Sequence, residues 1–561
     1  MTAVYGVTRF EFDEENDLGN YTVWLCDLGH GTPPWRPLFF IESWGRWAYR
    51  AVQRGAERLC LPTTRGWDVR FIDGYPYPTV IETSDEEARQ RQLVFRERIR
   101  PYIEDFDAEW EKRKADLMKA YKELRKKYHL KKYEDIKKLS NLDLLECFDD
   151  YMQVDRLQWD IHMELMMPAF YLFGLFDQMC RELLGFGHTD PIFARLMAGF
   201  DSMLFQFNKE IWRLGNRVNE LGLAELFRTT KDDRVLLAKL AKSADGRKWL
   251  KEYQDFLEVH GWRNERMLDW AAPNWLEEPR LGIPLIKVAI TTKGTYGIDQ
   301  RRERAIRERE EAEKEVLARV PADQRGWFAA LMKAAQNAGA WSEDHTYYCE
   351  LYGHGMGRWI TREIGRRFAE AGVIDDPEDV YFVLADEIEK AMIPMGKVKL
   401  HRYVNRRKRE WKRYLKLSPK PFYGNIERVQ EMLKKDATIS VSTSAPIVRE
   451  ELKADLYGAA SAPGVVEGVA RIIMTEDKLA DLKPGEILVA PGTSAPWTPA
   501  FEIIEGLITD GGGALCHAVI VAREYGIPAV TGCLEATKKI KTGDRVKVDG
   551  DLGVVYILQG R

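Results

Sequence analysis

Residues 507–533 read LITDGGGALCHAVIVAREYGIPAVTGC, and this stretch constrains the fold more than any other. Its apolar start suits a strand, the three glycines a tight turn, and AVIVAREYG a short amphipathic helix closed by Gly-Ile-Pro. Consecutive glycines reach backbone angles that other residues avoid, and they let a ligand approach the main chain. The helix that follows offers free N–H groups and the positive end of its dipole, which suits phosphate. His517 stands at that end. An imidazole with an ordinary pKa of about 6.5 is partly neutral near pH 7 and can attack phosphorus. The phosphoramidate so formed readily gives its phosphoryl group to a second acceptor. The same residues also fit a blander arrangement, a glycine turn with a capping histidine that serves packing alone.

The 561 residues allow two to four domains. Residues 1–95, crowded with aromatics and prolines (WLCDLGHGTPPWRPLFF), predict irregular backbone. From about 96 to 435 the pattern is helical. YIEDFDAEWEKRKADLMKAYKELRKKY and RRERAIREREEAEKEVLARV are charged helices with spaced apolar residues. Composition shifts at 436–461, where DATISVSTSAPIVREELKADLYGAAS is rich in Ser, Thr and Ala and predicts a linker or hinge. From 462 to 561 short strands and helices alternate.

A net charge of −4, with 31% charged and 45% hydrophobic residues, gives no electrostatic case for nucleic acid or an anionic membrane. Seven cysteines at 26, 60, 147, 180, 349, 516 and 533 form no CxxC pair and no metal spacing, so no metal ligands are expected. The start, MTAVYGVTRFEFDEEND, is too acidic for a signal peptide, and the expected location is the reducing cytoplasm. The most apolar run, MELMMPAFYLFGLF (163–176), is short of a membrane span and predicts a buried helix or pocket wall.

The length of the glycine–histidine pattern decides between the two readings. ITDGGGALCHAVIVAREYGIPAVTG resembles the phosphohistidine signature of the phosphoenolpyruvate-utilising and dikinase enzymes. Thr509, Gly512, Gly513, His517, Ala522, Arg523, Glu524, Gly526, Ile527, Pro528 and Ala529 occupy the matching places, while Val519 replaces a usual alanine. The resemblance implies that His517 is transiently phosphorylated, with Thr509, Gly512 and Gly513 shaping the phosphate seat. FLEVHGWRNERMLDWAAPNWLEEP (256–279) and EDHTYYCELYGHGMGRWITREIGRRF resemble the acceptor domain of rifampicin phosphotransferase and related dikinases. The implied fold is a mostly α-helical acceptor-binding domain over 1–435, a hinge, and a swivelling β/β/α phosphohistidine domain over 462–561.

No G-x-x-x-x-G-K-[ST] loop occurs, and no segment remains for an ATP-grasp module. The whole chain is similar to the histidine-bearing subunit of phenylphosphate synthase and related aryl dikinases. That resemblance implies a partner ATP-grasp subunit that binds ATP with Mg²⁺ and loads His517. The phosphoryl group then passes to a phenolic hydroxyl, giving an aryl phosphate, AMP and phosphate. The alternatives are a rifampicin-type antibiotic phosphotransferase subunit, or a phosphohistidine carrier with no small-molecule activity.

Candidate acceptor residues come from two stretches. A helical reading of 345–362 puts Tyr348, Arg358 and Arg362 on one face, the arginines placed to clamp a moving phosphoryl group. HGWRNE supplies His260, a candidate general base or a hydrogen-bonded structural histidine, together with Arg263 and Glu265. His345 is a further candidate of the same kind. Arg523 and Glu524 are expected to pair with each other.

Overall fold

The computed structural model describes residues 13, 16–18, 23–26, 34–188, 190–264, 269–291, 298–417, 419–420, 422–425, 427–428, 431, 450–493, 495–512 and 516–559. The chain divides into two compact units. The first comprises Met1–Tyr171, Arg266–Ala272 and His345–Ser440; the second comprises Leu172–Glu265, Pro273–Asp344 and Val441–Arg561.

The first unit is mostly helical. Its N-terminal part contains regular structure where irregular backbone was expected: a wide π-helical segment Leu38–Ala48, a helix Tyr49–Leu59, and a hairpin of strands Thr64–Ile72 and Tyr75–Glu82. The hairpin turns at Asp73 and Gly74, both at positive φ, so DG between two apolar runs was a readable signal. The helix Asp85–Lys127 starts on Ser84, whose hydroxyl accepts from the Glu87 N–H. Acids fill its first turn and bases its last, in the sense that favours the helix dipole. Asp105 leaves helical geometry, and its side chain accepts from the Ala108 N–H at 3.0 Å, capping the second half of the helix. The helix Asn141–Leu184 carries the apolar run 163–176, with Met163, Leu165, Met167 and Phe173 buried.

The second unit joins helices to a C-terminal sheet. Its strands are β1 (Leu456–Tyr457), β2 (Ala459–Ala462), β3 (Val465–Ile472), β4 (Ile487–Ala490), β5 (Gly506–Thr509), β6 (Ala529–Thr531), β7 (Arg545–Asp549) and β8 (Val554–Gln559). Their order is β1-β8-β7-β3-β4-β5-β6-β2. The centre, β3-β4-β5-β6, is parallel, and every other pairing is antiparallel. β1 and β2 fall inside the expected hinge, so part of 436–461 belongs to the sheet; residues 436–449 lie outside the described residues.

One apolar core runs through this unit. It includes Phe207, Ile211, Trp249 and Trp275 from the helical part and Phe501, Ala518, Val521 and Ala522 from the sheet domain. Burying a large apolar side chain contributes about 1.5–3 kcal/mol, so shared burial on this scale holds the sheet domain docked on the helices Met203–Glu220 and Ala244–His260. Among the described residues no helix is long and apolar enough to cross a membrane.

Candidate active site around His517

Parallel strands in the centre of a sheet need crossover connections, and one of these carries the histidine. β5 ends at Thr509, a loop follows, the helix His517–Tyr525 runs back, and β6 lies parallel to β5. Ligand sites in such sheets lie beyond the carboxyl ends of the strands. His517 occupies that edge, at the first position of its helix. Gly526, at φ +64°, closes the helix and donates its N–H to Ala522 and Arg523, as the Gly-Ile-Pro stop predicts.

The glycine turn is built for shape. Gly512 has φ +121°, and a Cβ there would stand 2.7 Å from Cys516 Sγ. Its carbonyl accepts from the Thr531 hydroxyl at 3.1 Å. The Thr509 hydroxyl donates to the Gly511 carbonyl at 2.6 Å, so Thr509 fixes the turn. Gly513 lies outside the described residues. Burial raises the Cys516 thiol to about 11, which outweighs the helix-end N–H groups that lower it and leaves a packing thiol.

Two threonines hold the His517 ring. Thr493 Oγ1 is 2.9 Å from Nδ1 and Thr498 Oγ1 is 3.1 Å from Nε2. A neutral imidazole has one donor and one acceptor nitrogen, so one threonine accepts and the other donates. Phe501 stands edge-on to the ring, with centroids 6.1 Å apart. Burial first, and the Arg263 charge second, push the His517 pKa down to about 3. The nucleophilic, unprotonated imidazole therefore dominates at neutral pH.

Arg263 is almost fully buried. Its guanidinium lies 4.1 Å from the centroid of the Phe207 ring, and its Nη1 donates to the His260 carbonyl at 3.3 Å and lies 3.2 Å from His260 Nδ1. Burial, then Arg263, lower the His260 pKa to about 3, and its contacts with Arg263 suit a hydrogen-bonded structural histidine better than a general base. Glu265 lies outside the described residues.

Beside this group opens a cleft walled by Phe173, Phe200, Phe205 and Tyr525 and bordered by Thr498 and Glu343. Burial, then Asp344 and Glu524, raise the Glu343 carboxyl to about 8, and Arg263 opposes them. Glu343 was missed from the sequence, because an acid in SEDH looks like any solvated helix residue until its burial is known. Glu524 also borders the cleft, and burial raises it to about 7. It accepts from the Gly199 N–H at 2.9 Å, while Arg523 donates to the Ser461 carbonyl at 2.8 Å and the His188 carbonyl at 3.5 Å. The expected Arg523–Glu524 pair is thus replaced by separate bonds to other segments.

The remaining candidates belong to the first unit. Arg358 is buried and its Nη1 donates to the carbonyls of Trp270 and Ala271 and to the Tyr381 hydroxyl, at 3.2, 2.9 and 2.9 Å. Those bonds anchor the 270–271 segment. Arg362 lies over the Tyr133 ring at 4.7 Å. The ring of Tyr348 packs on Trp110 and on the Lys114 ammonium. A π-helical segment, Thr346–Leu351, separates the helices Arg325–His345 and Tyr352–Glu370 and breaks the α-helical register assumed for 345–362. His345 lies beside His162, with ring centroids 4.4 Å apart.

The comparisons fit this geometry. Residues 482–553, which include His517 and both threonines, match the mobile domain of the PEP-utilising enzymes. This segment resembles that mobile domain. The mobile domain packs on residues that match a second model, the rifampicin phosphotransferase fourth domain, at 162–343. Arg263 and Glu343 both lie in that range. The chain is 26% identical to the uncharacterized phosphotransferase YvkC of Bacillus subtilis (strain 168), over 74% of this chain and 49% of that protein. It is 31% identical to the rifampicin phosphotransferase of the same organism, over 58% of this chain and 36% of that protein. It is 26% identical to the chondramide synthase cmdD of Chondromyces crocatus, over 96% of this chain and 14% of that protein. The chain spans half the length or less of each of these relatives.

Proposed function

We propose that this chain is a phosphotransferase component in which His517 is phosphorylated and then passes the phosphoryl group to an aryl hydroxyl held in the adjoining cleft. One observation carries the reading: Thr498 both touches His517 Nε2 and borders the aromatic-walled cleft that contains Glu343. In the transfer step the N–P bond of phosphohistidine breaks and an O–P bond to the acceptor forms. The hydroxyl proton goes to the Glu343 carboxylate, whose pKa of about 8 lies close enough to working pH for that role. Arg263 neutralises charge on the moving phosphoryl group, the main requirement of such reactions.

Loading of His517 is assigned to a partner ATP-grasp subunit that binds ATP with Mg²⁺; with one phosphoryl group of ATP passed to His517 and the other to water, the products are an aryl phosphate, AMP and phosphate. The mobile domain would leave its docked position to be loaded.

A second reading, transfer to a bulky antibiotic hydroxyl, is favoured by the rifampicin phosphotransferase relatives. The experiment that separates the two supplies the loaded chain with phenols or with rifampicin and follows the phosphorylated product. The aryl reading expects phosphorylated phenols, and it fails if only rifampicin is modified. A His517→Ala chain that supports turnover with either acceptor would sink both.

A further inference from the structure

A second cluster, wholly within the first unit, is unused by this chemistry. His162, on the helix Asn141–Leu184, meets His345 and Glu350, which flank the π-helical segment. One ligand atom from each lies within 4.8 Å of the others. His162 Nδ1 is 3.6 Å from Glu350 Oε1, and His345 Nε2 is 3.8 Å from the same oxygen. Tetrahedral ligands at ordinary zinc bond lengths are about 3.4 Å apart, so the two histidine–carboxylate separations need a contraction of a few tenths of an ångström and the histidine pair, within 4.8 Å, one of up to about 1.4 Å. We propose that His162 Nδ1, His345 Nε2 and Glu350 Oε1 form a binding site for a divalent cation of the zinc class, with a fourth position open to water.

Three features support it besides proximity. The donors are two imidazoles and a carboxylate, a set suited to zinc and unsuited to magnesium or calcium, which take oxygen. The π-helical turn, marked by the Tyr352 N–H bonding the Tyr347 carbonyl five residues back, is what presents residues 345 and 350 together. Such wide turns cluster at functional sites. The His162 ring is held in plane by Trp159, stacked at 5.4 Å and 21°, and Trp159 is itself fixed by its indole N–H donating to Ser43 Oγ at 2.8 Å. Ligand rings pre-oriented by neighbours are what a metal site requires. His162 and Glu350 are buried and His345 is half-buried, so a bound ion would be largely shielded from bulk water. The spacing 162–345–350 hides the set from any sequence motif.

The test uses the full chain, stripped with a chelator and titrated with Co²⁺ and Zn²⁺. The expected result is one equivalent bound, with the intense visible absorption of tetrahedral cobalt. Glu350→Gln and His162→Gln should each weaken binding by about 100-fold or more, while Glu123→Gln, on an exposed surface, should leave it unchanged. Circular dichroism of the variants confirms that they fold. Absence of stoichiometric binding by the wild-type chain, or equal affinity in folded Glu350→Gln, overturns the proposal.

Discussion

Arg263, in the turn after the helix Ala244–His260, places its charge on His517 at the carboxyl edge of the sheet. The helical part thereby lowers the pKa of a histidine that the C-terminal domain supplies. Because burial is the larger cause, Arg263→Met should raise the His517 pKa only partway toward 6.5. Loss of a charge-assisted contact worth about 1.5–3 kcal/mol should slow phosphoryl transfer by about 10–100-fold, with partial rescue by Arg263→Lys. Nitrogen NMR titration of His517 and transfer from the labelled chain check both. Unchanged values would remove Arg263 from the site.

Stability should fall on both sides of neutrality, for different groups. Glu343 and Glu524 have folded pKa values raised to about 8 and 7. Their contribution is complete below the unfolded carboxyl pKa and is lost as pH rises through 7 to 8. His260 and His517 have folded values lowered to about 3. Their contribution is present above the unfolded histidine pKa and is lost as pH falls from about 6.5 toward 3. Melting temperatures measured across pH should show both limbs, and Glu343→Gln should flatten the alkaline one.

Gly512→Ala should destabilise the mobile domain by about 1–3 kcal/mol, the usual cost of a side chain in so unfavourable a backbone region. The added Cβ also meets Cys516 Sγ. Adding Cys516→Ala should therefore recover part of the loss and no more, since the φ strain remains. Urea denaturation of both variants measures this.

Arg358→Met should cost about 2–4 kcal/mol of stability, because it leaves the Trp270 and Ala271 carbonyls without their buried donor. Phosphorylation of His517 in the folded variant should continue. Loss of labelling at unchanged stability would restore the phosphate-clamp role for Arg358.

What could be read in the sequence was local. The strand, turn and helix around His517 follow from residues within about twenty positions, each with its own backbone preference: Gly512 at positive φ, Gly526 as the helix stop. HGWRNE likewise gave up Arg263, although not which neighbour it serves. The rest depended on burial and on contacts between distant segments. Glu343 acquires its raised pKa only where the helices and the mobile domain exclude water together. Arg358 changes from a free cation to an anchor because residues 270–271 return to it. His162 meets His345 and Glu350 only through a π-helical turn that α-helical periodicity cannot show. Sequence thus determined the histidine at the helix start and the glycine turn before it, through short-range backbone preference. Tertiary structure decided the charges around them, because a group's protonation and partners depend on the water that packing removes.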